Sequence, residues 1–137
     1  MKWATGGFKV TSDWGKRNDP FTKEVRTHQG LDLALPKGTA VGSNISGEVI
    51  YAGMGKSGTG YGGYGNVVAI KDSNGNVHVF GHLDSVNVKK GQKISTGTLL
   101  GKSGNTGKST GAHLHYEVRK NGELNNNLNP RKYLQLG

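Results

Sequence analysis

The sequence predicts an all-β domain of antiparallel sheet, and three observations carry that prediction. Short runs of alternating apolar and polar residues recur along the chain, the signature of half-buried strands. Glycine contributes 24 of the 137 residues, far above an average usage of ~7%, so turns should be frequent. Finally, no window sustains a helical period. The C-terminal stretch NPRKYL has room for one helical turn at most.

Taken in order, LDLAL (31–35) sets Leu31, Leu33 and Leu35 on one face and Asp32 and Ala34 on the other. GEVIYAG (47–53), GNVVAIK (65–71), NVHVFGH (76–82) and HLHYEVR (113–119) also read as strands. Asn74-Gly75 is the dipeptide of a tight hairpin turn, which predicts antiparallel pairing of 65–71 with 76–82. Segment 88–101, VKKGQKISTGTLLG, has the look of a second hairpin.

Two glycine-rich segments, 53–65 and 101–111, interrupt the strands. The second ends in Gly107-Lys108-Ser109 like a phosphate-binding loop, but the earlier glycine that motif requires is Lys102. Gly58, Gly60 and Gly63 satisfy GxGxxG. In both cases a strand follows where a helix must begin, so no helix N-terminus awaits a phosphate. Mobile loops flanking a cleft are the better expectation.

A chain of this length forms one domain, 1–137, with a real core. No apolar run reaches membrane-spanning length. MKWATGGFKV has no apolar stretch of the signal-peptide kind, which suggests a domain cut from a longer chain or delivered by another route. The absence of cysteine excludes disulfides and thiolate metal sites. Eighteen basic residues against nine acidic ones give +9, a field that attracts polyanions. Nucleic acid is not expected, because no basic stretch is interleaved with stacking aromatics.

All five histidines fall in short motifs. In HLHYE, alternation sends His113, His115 and Glu117 to one face and Leu114 and Tyr116 to the other. Same-face neighbours on a strand lie ~7 Å apart at the backbone, close enough for two imidazoles to share an ion. Two solvent-facing histidines would give the same pattern. HQGLD supplies His28 and Asp32. On a straight strand these would stand ~13 Å apart, and Gly30 and Pro36 argue against a helix. A bend or bulge at Gly30 is therefore predicted if both serve one site. VHVFGHL adds His78 and His82, which share a face if the strand is regular.

The order and spacing of HQGLDLALPKGTAV, GEVIYAG, GYGNVVAI, FGHLDS, VKKGQKISTGTLLGKSGNTGKSTGAHLHYEV and LNPRKYL resemble the lysostaphin-type zinc metalloendopeptidases, which cleave peptidoglycan cross-links. The resemblance spans nearly the whole chain. It implies a fold of duplicated-hybrid-motif type with glycine-rich loops beside a groove. It assigns His28, Asp32 and His115 to zinc, leaving a fourth position for water, whose pKa can then fall from about 16 to about 7. His82 and His113 become the unligated catalytic histidines, one handling the water's proton and the other the oxyanion or leaving amine.

The same resemblance implies peptidoglycan stems and cross-bridges as substrate and an extracellular or cell-wall workplace, while the +9 charge adds anionic wall polymers as partners and a monomer is expected. Glu117 either orients a ligand imidazole or pairs with a surface cation, and His78 is a strand residue outside the motif. Some family members carry a tyrosine shortly before the first ligand histidine; here the nearest aromatic is Phe21. Tyr61 and Tyr64 are candidates for substrate contact or for packing. Two other readings compete with this one. A non-haem iron oxygenase also uses two His and one carboxylate, but leaves no role for His82 and His113. A wall-binding relative without catalysis should have lost ligands, and every expected one is present.

Overall fold

The computed structural model describes residues 9–12, 15–18, 25–28, 30–107, 111–123 and 126–133, with side chains from residue 30 onward except 131 and 132. Among these lie twelve strands: β1 (Lys9–Ser12), β2 (Gly15–Asn18), β3 (Val25–His28), β4 (Leu31–Ala34), β5 (Ala40–Gly42), β6 (Gly47–Met54), β7 (Asn66–Lys71), β8 (Val77–Val86), β9 (Lys93–Ile94), β10 (Leu99–Ser103), β11 (Leu114–Arg119) and β12 (Asn127–Leu128). Two 3-10 turns, Lys120–Gly122 and Pro130–Tyr133, are the helical elements of the described residues. No helix among them is long and apolar enough to cross a membrane.

The main sheet runs β1-β4-β11-β8-β7-β6-β9, with β12 on β11, β10 on β8 and β5 on β10; β2 and β3 form a separate pair. Every ladder among the described residues is antiparallel. The β7–β8 hairpin forms as Asn74-Gly75 predicts. The Asp72 carboxylate accepts N–H bonds from Asn74 (2.9 Å) and Asn76 (3.0 Å), and Gly75 supplies the positive φ of 83°.

Segment 88–101 is not the hairpin that its sequence suggests. β9 pairs with β6, and β10 pairs with β5 and β8. The turn between them is held from outside, with Gly97 N–H on the Ser43 carbonyl (2.7 Å) and Ser43 N–H on Thr98 (2.8 Å). Val88, Ile94 and Leu100 all bury into the larger core. Each arm therefore follows the core rather than its neighbour in sequence.

That core lies on one face of the sheet. Leu31, Leu33 and Leu35 meet Leu114, Tyr116 and Val118 there, with Val68, Ile70, Phe80 and Leu83 beside them. Each such side chain contributes about 1.5–3 kcal/mol on burial. A smaller cluster of Tyr61, Val67, Ala69, Val77 and Val79 covers the other face. The unbroken apolar run Val67–Ile70 is thus buried on both sides, as such runs are in covered sheets.

His78 is fully buried in the larger core, so its place is structural. Its Nε2 lies 2.8 Å from Asp72 Oδ2 and its Nδ1 2.7 Å from the Tyr116 hydroxyl. A carboxylate only accepts, so Nε2 carries the proton and Tyr116 donates to Nδ1. Asn44 Nδ2 completes the hydroxyl's bonding at 3.0 Å.

Burial pushes the His78 imidazole below its ordinary value, although Asp72 pulls it back up. A depressed folded-state pKa gives stability that is complete above the unfolded value of about 6.5 and lost as pH falls below it. His78→Gln is expected to lower the melting temperature at pH 7, consistent with about 1–3 kcal/mol for a broken buried polar pair. It should also flatten the decline in wild-type stability between pH 7 and pH 5. An unchanged slope in calorimetric scans would contradict this account.

Candidate active site

Strand register builds the site. His115 on β11 stands directly opposite Asp32 on β4 and Gly81 on β8, so the three positions form one row across three strands. Because Leu33 faces Leu114 and Leu31 faces Tyr116 in the core, alternation sends Asp32 and His115 together to the opposite face. His115 Nδ1 lies 3.0 Å from Asp32 Oδ1, and His113 Nε2 lies 3.6 Å from the same oxygen.

His82 reaches this group by an irregularity. Between the pairs Asn66↔Leu83 and Val68↔Phe80 the register shifts, so Gly81 and His82 together oppose Val67. This is a β-bulge. His82 adopts φ 62°, a region sparsely occupied outside glycine. The expected shared face for His78 and His82 therefore does not hold. His78 enters the core, while the bulge turns the His82 ring to 4.7 Å from His113 and 6.1 Å from His115. The ring of Tyr64 lies over Gly81, where a Cβ would come within 3.2 Å of it.

The chain bends at Gly30, as predicted, between β3 in the small sheet and β4 in the large one. A Cβ there would meet the Tyr116 carbonyl at 2.5 Å and Glu117 Cβ at 2.8 Å, so only glycine lets β11 approach this closely. His28 ends β3. Its side chain, like Phe21, lies outside the described residues.

Hydrogen bonds fix which nitrogen of each imidazole carries the proton. His82 Nδ1–H donates to the Thr106 carbonyl (2.6 Å) and His113 Nδ1–H to the Gly111 carbonyl (2.8 Å), since a carbonyl accepts only. That leaves Nε2 as the other nitrogen of each ring, with His113 Nε2 turned toward Asp32. His115 is reversed: Nε2–H donates to Glu117 Oε1 at 2.8 Å, and Nδ1 faces Asp32.

Two lone-pair atoms 3.0 Å apart need a cation or a proton between them. Burial opposes charge on His115, but Asp32 and Glu117 outweigh it and push the imidazole up to about 9. A site that holds a proton this firmly between carboxylate and imidazole also suits a divalent metal, and nitrogen with carboxylate oxygen is a donor set zinc accepts. Burial pushes His82 below its ordinary value despite the Thr106 bond, so its ring is neutral at pH 7.

Glu117 is fully buried and is not a surface glutamate. Burial would raise its carboxyl, yet bonds and charge from His115 and Arg119 hold it at about 2. Tyr64 O–H donates to Oε1. Arg119 Nε and Asn127 Nδ2 donate to Oε2 at 2.8 and 3.3 Å. Tyr61 is a buried packing anchor, and the Tyr64 hydroxyl is committed to Glu117. Arg119 was missed in the sequence, although the same alternation that groups His113, His115 and Glu117 reaches it next. Thr106 was missed too, because its part is played by a backbone carbonyl, which composition does not reveal.

The architecture is that of lysostaphin-type peptidases. The catalytic domain of the antimicrobial peptidase lysostaphin from Staphylococcus simulans superposes with a TM-score of 0.77 at 29% identity, covering 92% of this chain and 91% of that domain. The model of peptidase family M23 matches residues 26–129, and the chain belongs to that family. Peptidoglycan DD-endopeptidase ShyA of Vibrio cholerae is 39% identical over 112 residues, 81% of this chain and 25% of that protein. Murein hydrolase activator NlpD of Salmonella typhimurium is 31% identical over 133 residues, 97% of this chain and 31% of that protein. The chain thus spans about a quarter to a third of these relatives' length.

Gly65 and Gly107, both at positive φ, are where the two glycine-rich loops touch. A Cβ on Gly65 would collide with Thr106, whose carbonyl holds His82. Gly65→Ala is expected to cost about 2–4 kcal/mol from left-handed strain plus overpacking and to shift the His82 ring resonances. Gly58→Ala, also at positive φ but with nothing within 4 Å, should cost about 1–2 kcal/mol and leave His82 unmoved. Equal effects in thermal melts and NMR would contradict the packing explanation.

Proposed function

We propose that residues 1–137 form one catalytic domain, a zinc-dependent endopeptidase that hydrolyses peptide cross-links of bacterial peptidoglycan at the cell wall or outside the cell. His28, Asp32 and His115 would hold the zinc. When bound, zinc supplies a Lewis acid that polarises a peptide carbonyl and makes water acidic enough to attack near neutral pH. The rest is the work of the chain's own side chains. Glu117 holds Nε2–H of His115 so that Nδ1 faces the metal position. His82 and His113 would turn their Nε2 atoms toward the same position. One takes the proton of the attacking water and the other stabilises the oxyanion or protonates the leaving amine. Burial keeps His82 in the neutral form that accepts a proton. The +9 charge draws the domain toward anionic wall polymers.

The observation that carries this proposal is the row of Asp32, His115 and Gly81 across β4, β11 and β8, with the His82 and His113 rings each oriented by a main-chain carbonyl and the His115 ring by Asp32 and Glu117. Such positioning serves proton transfer at a fixed point and has no evident use in a purely adhesive module. NlpD, a murein hydrolase activator by name, supports a second reading, a wall-associated domain that acts on a hydrolase rather than on the wall. Membership of family M23 gives no support to the iron oxygenase.

Purified peptidoglycan, with products identified by mass spectrometry, separates these readings. His115→Ala should lose zinc and cleavage together. His82→Asn, chosen because asparagine tolerates the left-handed backbone, and His113→Ala should keep zinc and lose turnover by about 10²–10⁴-fold. Stoichiometric zinc on His115→Ala would overturn the ligand set. Wild-type protein that holds zinc but releases no fragments would favour the activator.

A further inference from the structure

Arg119 is 3% exposed and touches two things that have no contact through sequence. Toward the site, its Nε donates to Glu117 Oε2 at 2.8 Å. Glu117 in turn receives Nε2–H of His115. Toward the glycine-rich loop 55–65, Nη2 donates to the Gly60 carbonyl at 2.8 Å and approaches the Tyr64 hydroxyl at 3.4 Å. Its guanidinium also lies 4.8 Å from the ring centre of Tyr61 and 5.7 Å from that of Tyr64. A planar group with five donors can serve both sides at once, as a lysine's single ammonium cannot.

We infer that Arg119 is a positioning residue that couples the conformation of loop 55–65 to the orientation of the His115 ring, acting through Glu117. This rests on the reading of His115 as a zinc ligand. The loop's neck is closed by Gly55 N–H on the Gly65 carbonyl at 2.7 Å, and residues 56–59 are exposed. Gly60 marks where the exposed part returns to the protein body, and it is there that Arg119 holds it. Displacement at Gly60 or Tyr61 pulls on a rigid fork whose other tine fixes the Glu117 carboxylate. The Glu117 bond sets the direction of His115 Nδ1. A buried ion pair is weak evidence for stability, because apolar replacements often serve as well. Its position between a loop and a ligand gives it another use.

The test measures zinc affinity by competition with a chromophoric chelator, and the visible spectrum of the cobalt(II)-loaded protein, on the full chain. Tyr61→Leu perturbs the loop side without removing a hydrogen bond to Glu117 or to a ligand; its ring also meets Tyr64 edge-on at 6.5 Å, a second route that the double variant separates from the one through Arg119. It is expected to weaken zinc binding about 5-fold or more and to shift the cobalt bands, a smaller effect than the roughly 10–100-fold of a direct hydrogen-bond partner of a metal ligand. Arg119→Lys should weaken binding about 10-fold, and the double variant should bind no more weakly than Arg119→Lys alone, the non-additivity of a shared path. Unchanged affinity and spectrum in Tyr61→Leu, or multiplicative effects in the double variant, would overturn the coupling. If Arg119→Lys fails to fold, Tyr61→Leu decides alone. Wild-type protein that takes up no stoichiometric zinc would overturn the proposed function together with this inference, whereas the other negative outcomes strike the inference only.

Discussion

The pairing of β11 with β4 on one side and β8 on the other governs the rest of this molecule. Side chains on a strand alternate between faces, so the register that buries Leu114 and Tyr116 against Leu33 and Leu31 also fixes where Asp32 and His115 must meet. A slip of one residue would invert every side chain of β11, exposing the core and burying the imidazoles in it. The hydrophobic face thereby selects the geometry of the polar one. Fifteen buried apolar residues in the larger cluster hold two atoms, Nδ1 and Oδ1, at 3.0 Å.

The polar face has its own cohesion. Glu117 and Arg119 are both withdrawn from water, which is costly for either alone. Each is satisfied several times over: the carboxylate by His115, Tyr64, Arg119 and Asn127, the guanidinium by the carboxylate and Gly60. Fully bonded networks of this kind rigidify their surroundings. Here the surroundings are one imidazole edge and the root of a glycine-rich loop. The smaller core beneath, with Tyr61 and Val79, shields the network from solvent.

Much of this was legible in the chain itself, for identifiable reasons. The strict alternation of HLHYE separates site from core without ambiguity, and Gly30 announced a bend because neither a helix nor a straight strand could join His28 to Asp32. Pairing across long distances was harder. Residues 88–101 carry a glycine-bearing turn between two apolar arms, yet the partners of those arms, Gly47 and Val86 among them, are settled by core packing rather than by the turn. The bulge at His82 left only one trace, Gly81 beside it, and a strand glycine has several meanings. Arg119 was within reach of the alternation rule and needed only one more step along β11.

The tautomers of His82 and His113 are set by main-chain oxygens, at Thr106 and Gly111, and not by acidic side chains. Carbonyls carry no proton to lose, so these two orienting bonds keep the same acceptor whatever the pH. Both oxygens belong to the segment joining β10 to β11. Sequence drift within that connection can therefore re-aim two imidazoles at once while leaving the histidines themselves untouched, a route by which descendants of one scaffold would diverge in the geometry of this face through a connecting segment.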